Sequence, residues 1–285
     1  MARETVRLLI TCPDTSGIIA SVAGFIVEHR GNILYADQHT DPVRGEFFMR
    51  VEVDLDGFDL AEESFEAAWA PVAVRYGMDW RVYWGTRVKR MAVMVSREGH
   101  CLTDLLWRWS TGELAVEIPM VIGNHPDLAG IVAGYGVDFH SEPVSPKNKP
   151  EQESRVLSLL REGAVDFLVL ARYMQVLSPS FVAGFSHRII NIHHSFLPAF
   201  AGARPYQQAY ERGVKLIGAT SHYVTSDLDG GPIIAQQTIP IGHRDTVDDL
   251  VRKGRDLERI VLATAVRQHV EDKILVSGNR TVVFD

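Results

Sequence analysis

The sequence predicts an α/β chain in two parts, a β-α-β-β-α-β unit followed by a larger, mostly parallel α/β domain. Three observations carry this. Before residue 85 the strand-like runs alternate with a period of two; after residue 90, uniformly apolar runs alternate with helical ones; a polar, basic stretch at 85–90 separates them. At 285 residues the chain also exceeds the usual span of one core. Domains are expected at 1–85 and 86–285.

Residues 6–11 are a short apolar strand, and Asp14-Thr15-Ser16-Gly17 supplies turn and helix-start chemistry. Ile18, Val22, Phe25 and Ile26 share one stripe of a helix, expected to end at Gly31, a residue suited to left-handed backbone just past a helix. Residues 33–39 form a second strand and 41–45 a turn. Phe47, Met49, Val51 and Val53 alternate with Phe48, Arg50, Glu52 and Asp54, which marks a strand with one buried face. Phe65, Trp69 and Val72 lie at helical spacing within 60–74, and Trp80, Val82 and Trp84 alternate on a fourth strand.

In the second part, strands at 91–95, 117–122, 136–139, 166–171 and 188–193 are interleaved with helices at 102–109, 126–135 and 151–161. Runs such as Phe167-Leu168-Val169-Leu170 suit parallel strands covered on both faces, and such sheets bind ligands beyond their strands' carboxyl ends. Residues 142–150, rich in proline, form a loop. Strands at 216–224 and 232–238 flank another loop, a long helix covers 246–271, and a hairpin at 274–284 turns at Ser277-Gly278-Asn279.

Composition excludes several classes. A net charge of -7 and a pI near 5.9 disfavour a nucleic-acid partner, and no apolar run approaches the ~18 residues that span a bilayer. Cys12 and Cys101 have no paired spacing, so neither a disulfide framework nor a zinc knuckle is expected, and the reading is a cytoplasmic protein without a signal peptide.

Two elements could carry chemistry. Asn191-Ile192-His193 ends a strand, so the amide and the imidazole at i and i+2 project from one side, an arrangement suited to charge developing on a carbonyl oxygen. The same residues could equally satisfy loop backbone. The loop Asp227-Leu228-Asp229-Gly230-Gly231-Pro232 could deliver Asp229 beside His193 as a proton relay, or be a plain Asx turn. His193 and His194 are adjacent, not spaced as metal ligands, and no metal is expected. Ser96-Arg97-Glu98-Gly99-His100-Cys101 lacks the glycines or lysine of a phosphate loop, which disfavours a nucleotide substrate.

Together these two elements, with Ser195-Phe196-Leu197-Pro198, resemble the folate-dependent formyltransferase family, which includes glycinamide ribonucleotide and methionyl-tRNA formyltransferases. The resemblance implies a Rossmann-like catalytic domain, with Asn191, His193 and Asp229 as the catalytic set. It assigns Met174, Gln175 and Leu177, with Thr225 and Asp227, to the pterin pocket. The runs His193 to Phe200, Gly202 to Tyr206 and Gly278 to Val283 are similar to the formyltetrahydrofolate deformylase branch. So is the N-terminal unit, which resembles the ferredoxin-like ACT domain. Amine-acceptor members hold a ribonucleotide phosphate on glycines where this chain has 96–101, which supports water as the acceptor.

The expected reaction is therefore hydrolysis of 10-formyltetrahydrofolate to formate and tetrahydrofolate, without a cofactor, serving formate supply for purine synthesis and one-carbon balance. Transfer of the formyl group to an amine is the enzymatic alternative, and a folate or amino-acid sensor without turnover the non-enzymatic one. The ACT resemblance further implies a homo-oligomer and an amino-acid effector, glycine or methionine, at Asp14 and Gly17.

Overall fold

The computed structural model describes residues 4–199 and 205–285. They divide into two compact units: the chain up to Val88 with Glu271–Ser277 and Thr281–Asp285, and Lys89–Val270 with Gly278–Arg280. The division falls three residues later than the expected 85/86 boundary, and much of the C-terminus returns to the first unit.

The first unit runs β1 (Thr5–Pro13), α1 (Ile18–Glu28), β2 (Asn32–Asp41), β3 (Glu46–Asp54), α2 (Glu62–Tyr76) and β4 (Asp79–Trp84). Its strands pair antiparallel in the order β2-β3-β1-β4. Val6, Leu8 and Ile10 of β1 and Met49, Val51 and Val53 of β3 share one face of the pleat. They form a core with Val22, Phe25 and Ile26 of α1 and Phe65 and Trp69 of α2.

Two expectations need correction here. Gly31 is not the left-handed residue after α1; Arg30 is, with φ 57°. Gly31 is required for space instead, since a Cβ there would lie 2.7 Å from Ile26 and 2.9 Å from both Phe58 and Val53. Nor is the outer face of β3 solvated. Phe48 and Arg50 are buried because Leu275 and Phe284 pack on Leu9 and Phe48. Arg50 Nε donates to the Asp272 carbonyl at 3.0 Å, and Arg7 pairs with the Asp272 carboxylate at 2.9 Å. This second packing draws the C-terminal residues into the first unit.

The second unit continues with β5 (Lys89–Val95), α3 (His100–Ser110), β6 (Val116–Gly123), α4 (Ala129–Ala133), β7 (Asp138–Ser141), α5 (Lys149–Glu162) and β8 (Phe167–Leu170). Then come α6 (Pro179–Ala183), β9 (Ile189–His193), α7 (Pro205–Arg212), β10 (Leu216–Tyr223), β11 (Ile233–Pro240) and α8 (Val247–Val270), with the strands β12 (Ile274–Ser277) and β13 (Arg280–Val283) closing the chain. The expected 126–135 helix shrinks to a 3-10 turn at Pro126–Leu128 and the five residues of α4. Gly130 and Gly134 lower helix propensity there.

The sheet order is β11-β10-β9-β8-β5-β6-β7, parallel from β9 through β7 and antiparallel at the β9–β10 and β10–β11 pairs. The chain lays β6 and β7 on one side of β5, then β8 and β9 on the other. This reversal opens a crevice beyond the carboxyl ends of β5 and β8, next to β9.

Candidate active site

The candidate cluster is built on the β9–β10 pair. Register sets His222 directly opposite Asn191 and Thr220 opposite His193. After Tyr223 the chain turns back tightly; a Cβ on Gly231 would lie 1.8 Å from the Tyr223 carbonyl oxygen, so only glycine fits. Asp229 takes left-handed backbone, φ 54°, and Asn279 Nδ2 donates to the Gly230 carbonyl at 2.9 Å, holding the loop from outside.

These constraints bring three expected residues together and add a fourth. His193 Nδ1 lies 3.3 Å from Asp229 Oδ1, Asn191 Nδ2 lies 3.2 Å from His222 Nε2, and that nitrogen is 3.8 Å from the same Asp229 oxygen. His222 Nδ1 faces the Tyr223 carbonyl at 2.9 Å. A carbonyl can only accept, so Nδ1 carries the hydrogen. In the neutral ring Nε2 then accepts from Asn191, which fixes which way the amide points.

His193 and His222 are buried, and Asp229 keeps 17% of its side chain exposed. Hydrogen bonding from His193, with the His222 ring close by, holds the Asp229 carboxyl well below the usual carboxylate range. His193 Nε2 is buried with no hydrogen-bond partner among the described residues, which leaves one ring nitrogen open to a ligand.

The expected pterin contacts are more dispersed. Met174 is 57% exposed, with its amide donating to Ser96 Oγ at 3.0 Å at the crevice; Gln175 is exposed and Leu177 half-buried. Thr225 is half-buried and its hydroxyl bonds the Asp227 carbonyl, while Asp227 is exposed. In the first unit, Asp14 and Gly17 are exposed, and Gly17 opens α1 with φ 93°. Phe200, Gly202, Ala203 and Arg204 lie outside the described residues.

His222 is the member missed from sequence. Its signal, a histidine near a strand's end, acquires meaning only through pairing with Asn191. One further group offers possible metal ligands: His100, Cys101 and Glu258 present atoms within 4.8 Å of one another. A cation there would meet the Arg172 guanidinium, whose Nε is already 3.5 Å from Glu258, and burial pushes the Cys101 thiol well up, away from the thiolate that ligates metals.

Comparison with known proteins follows the same division. The ACT domain family matches residues 6–70 and the formyl transferase family residues 89–266. The formyltetrahydrofolate deformylase of Synechocystis sp. is 52% identical over 100% of both chains. That of Bacillus subtilis is 49% identical over 98% of this chain and 93% of its own. The crystal structure of a formyltetrahydrofolate deformylase from Pseudomonas syringae superposes with TM-score 0.97 at 47% identity, covering 100% of this chain and 96% of that one. Glycinamide ribonucleotide transformylase 1 from Symbiobacterium toebii superposes with TM-score 0.66 at 32% identity, over 71% of this chain and 97% of its own. Full-length likeness of this degree, ACT unit included, shows that the chain belongs to the formyltetrahydrofolate deformylase family.

Proposed function

We propose that the chain hydrolyses 10-formyltetrahydrofolate to formate and tetrahydrofolate, with Asn191, His193 and Asp229 as its catalytic residues. The observation that carries the reading is the His193–Asp229 pair at 3.3 Å, with the other nitrogen of His193 buried and without a hydrogen-bond partner among the described residues.

Hydrolysis of a formyl amide builds negative charge on the carbonyl oxygen. His193, held at Nδ1 by Asp229, presents Nε2 to that oxygen, with the Asn191 amide as second donor. Losing one such donor typically costs on the order of 10²–10³ in rate. Water attacks the formyl carbon, Asp229 takes up its proton, the carbon–N10 bond breaks, and that proton is passed on to N10 as it leaves. His222 is a positioning residue in this scheme, since it orients the amide and touches Asp229. Met174, Gln175 and Leu177, with Thr225 and Asp227, form the pterin pocket.

No cofactor beyond the folate enters this chemistry. The product, formate, serves purine synthesis and one-carbon balance. The ACT unit takes an amino acid, glycine or methionine, at Asp14 and Gly17 and assembles the chain into a homo-oligomer. The protein works in the cytoplasm; among the described residues no helix is long and apolar enough to cross a membrane. The test is direct. Purified protein with 10-formyltetrahydrofolate and no amine must release formate; absence of formate overturns the reading.

A further inference from the structure

A second polar network in the same unit plays no part in this mechanism. Glu258, in the middle of α8, is 1% exposed, yet its carboxylate is fully engaged. Oε2 lies 2.8 Å from His100 Nε2 and 3.5 Å from Arg172 Nε, and Oε1 accepts from the Tyr206 hydroxyl at 2.6 Å. Burial alone would raise the carboxyl, but His100, Arg172 and Tyr206 together hold it below its ordinary value. The network reaches the reaction centre through one ring. His194 stands 6.0 Å, centre to centre, from Tyr206 and 5.2 Å from His193.

Two local penalties maintain this arrangement. Arg172, the first residue beyond β8 and its capping alanine, has φ 64°, a conformation costly for any side chain but glycine's. Its Nε is buried without a hydrogen bond among the described residues. Gly254 lies inside α8, where glycine costs about 1 kcal/mol relative to alanine. A Cβ on Gly254 would sit 2.0 Å from the Tyr206 hydroxyl, so the glycine clears the path by which Tyr206 reaches Glu258 one turn along. Natural sequences seldom keep a strained arginine and a helix-weakening glycine around one buried carboxylate unless the shape matters.

We propose that the Arg172–Glu258–His100–Tyr206 network is the wall that makes water the acceptor, filling the His194 flank of the reaction centre so that no amine can reach the formyl carbon. This rests on the hydrolytic reading above. On this proposal the folate's formyl carbon lies between the Asn191 amide and His193, with the Asp229 loop on one flank and His194, backed by the network, on the other. A water molecule needs no corridor, whereas an amine must bring its substituent through the space that Arg172 and Tyr206 occupy. The guanidinium also repels an approaching ammonium. With the wall opened, an amine nitrogen bonds to the formyl carbon, the carbon–N10 bond breaks, and the proton lost by the amine ends on N10.

The test reads a product ratio. Wild type and Arg172→Gly, which removes the side chain and suits the left-handed backbone, are incubated with 10-formyltetrahydrofolate and either hydroxylamine or glycinamide. Formylated amine and formate are then quantified by mass spectrometry. Wild type is expected to give formate alone, and the variant to raise the ratio of formylated amine to formate by about tenfold or more, the scale on which small pocket changes alter discrimination. Should Arg172→Gly not fold, Gly254→Ala displaces Tyr206 without removing a charge and reads the same ratio. An unchanged ratio overturns the proposal. So does complete loss of turnover in folded variants, which would place the network in the reaction machinery, or formylated amine from wild type itself. Failure of wild type to release formate without amine strikes the hydrolytic reading instead.

Discussion

The clusters around Asp229 and Glu258 use the same chemistry, a carboxylate with histidine partners and a polar neighbour, but they are closed to different degrees. Glu258 is 1% exposed and both of its oxygens are satisfied. Asp229 keeps 17% of its side chain exposed, shares one oxygen between two imidazoles, and leaves His193 Nε2 without a hydrogen-bond partner among the described residues. A buried carboxylate with both oxygens engaged contributes shape, whereas a ring nitrogen left open beside a partly exposed carboxylate leaves room for a ligand. On the proposed reading, the difference separates the groups that act on the substrate from those that bound it.

The sharpest way to break this contrast is to neutralise each carboxylate in turn. Asp229→Asn is expected to lower kcat by on the order of 10³ through loss of the proton acceptor. Its effect on stability should be specific in pH. The folded carboxyl is held low, so its stabilising contribution is present above the ordinary carboxylate range and vanishes as pH falls through the folded value. Wild type should thus exceed the variant in urea midpoint at pH 7 and match it at strongly acid pH. Glu258→Ala, by contrast, strands Arg172 and His100 in a buried site and should cost roughly 3–5 kcal/mol of stability. Equal losses of kcat with unchanged stability in both variants would erase the distinction.

A smaller effect is expected at His222. Replacing it with phenylalanine keeps the ring's bulk but removes the acceptor that orients Asn191. The expected result is a kcat lower by about tenfold, less than the loss of a direct oxyanion donor, with KM for the folate little changed. A rise in KM at constant kcat would show instead that His222 serves binding.

What was legible in the sequence was local. Strand spacing places Asn191 and His193 on one side, and Asp-Gly-Gly chemistry marks the turn that carries Asp229; both signals lie within a few residues. His222 was missed because its role depends on the β9–β10 register, which joins residues thirty-one positions apart. The outer face of β3 was misread for the same reason: its cover, Leu275 and Phe284, arrives from the far end of the chain. For the second network, the clue was a glycine four residues before a glutamate on the apolar stripe of a long helix, with Leu250, Leu257 and Val261 around it. A buried acid on such a stripe needs partners, but Tyr206, His100 and Arg172 come from three separate elements, and helical periodicity names none of them.

His194, the ring between the two clusters, offers the finest test. Burial first, and then the Arg172 charge, lowers its pKa to about 4, so it is neutral in the folded protein at the pH of the reaction. An unfolded histidine titrates near ~6.5. Between these values the unfolded chain binds a proton that the folded chain does not, and stability must fall as pH drops across that window, by at most about 1.4 kcal/mol per pH unit from this one group. His194→Asn removes that contribution. Urea midpoints at pH 7 and pH 5 should therefore converge more closely in the variant than in wild type. If the two proteins lose stability in parallel, His194 takes up its proton while folded, and the flank of the reaction centre is wetter and less closed than the Glu258 network implies.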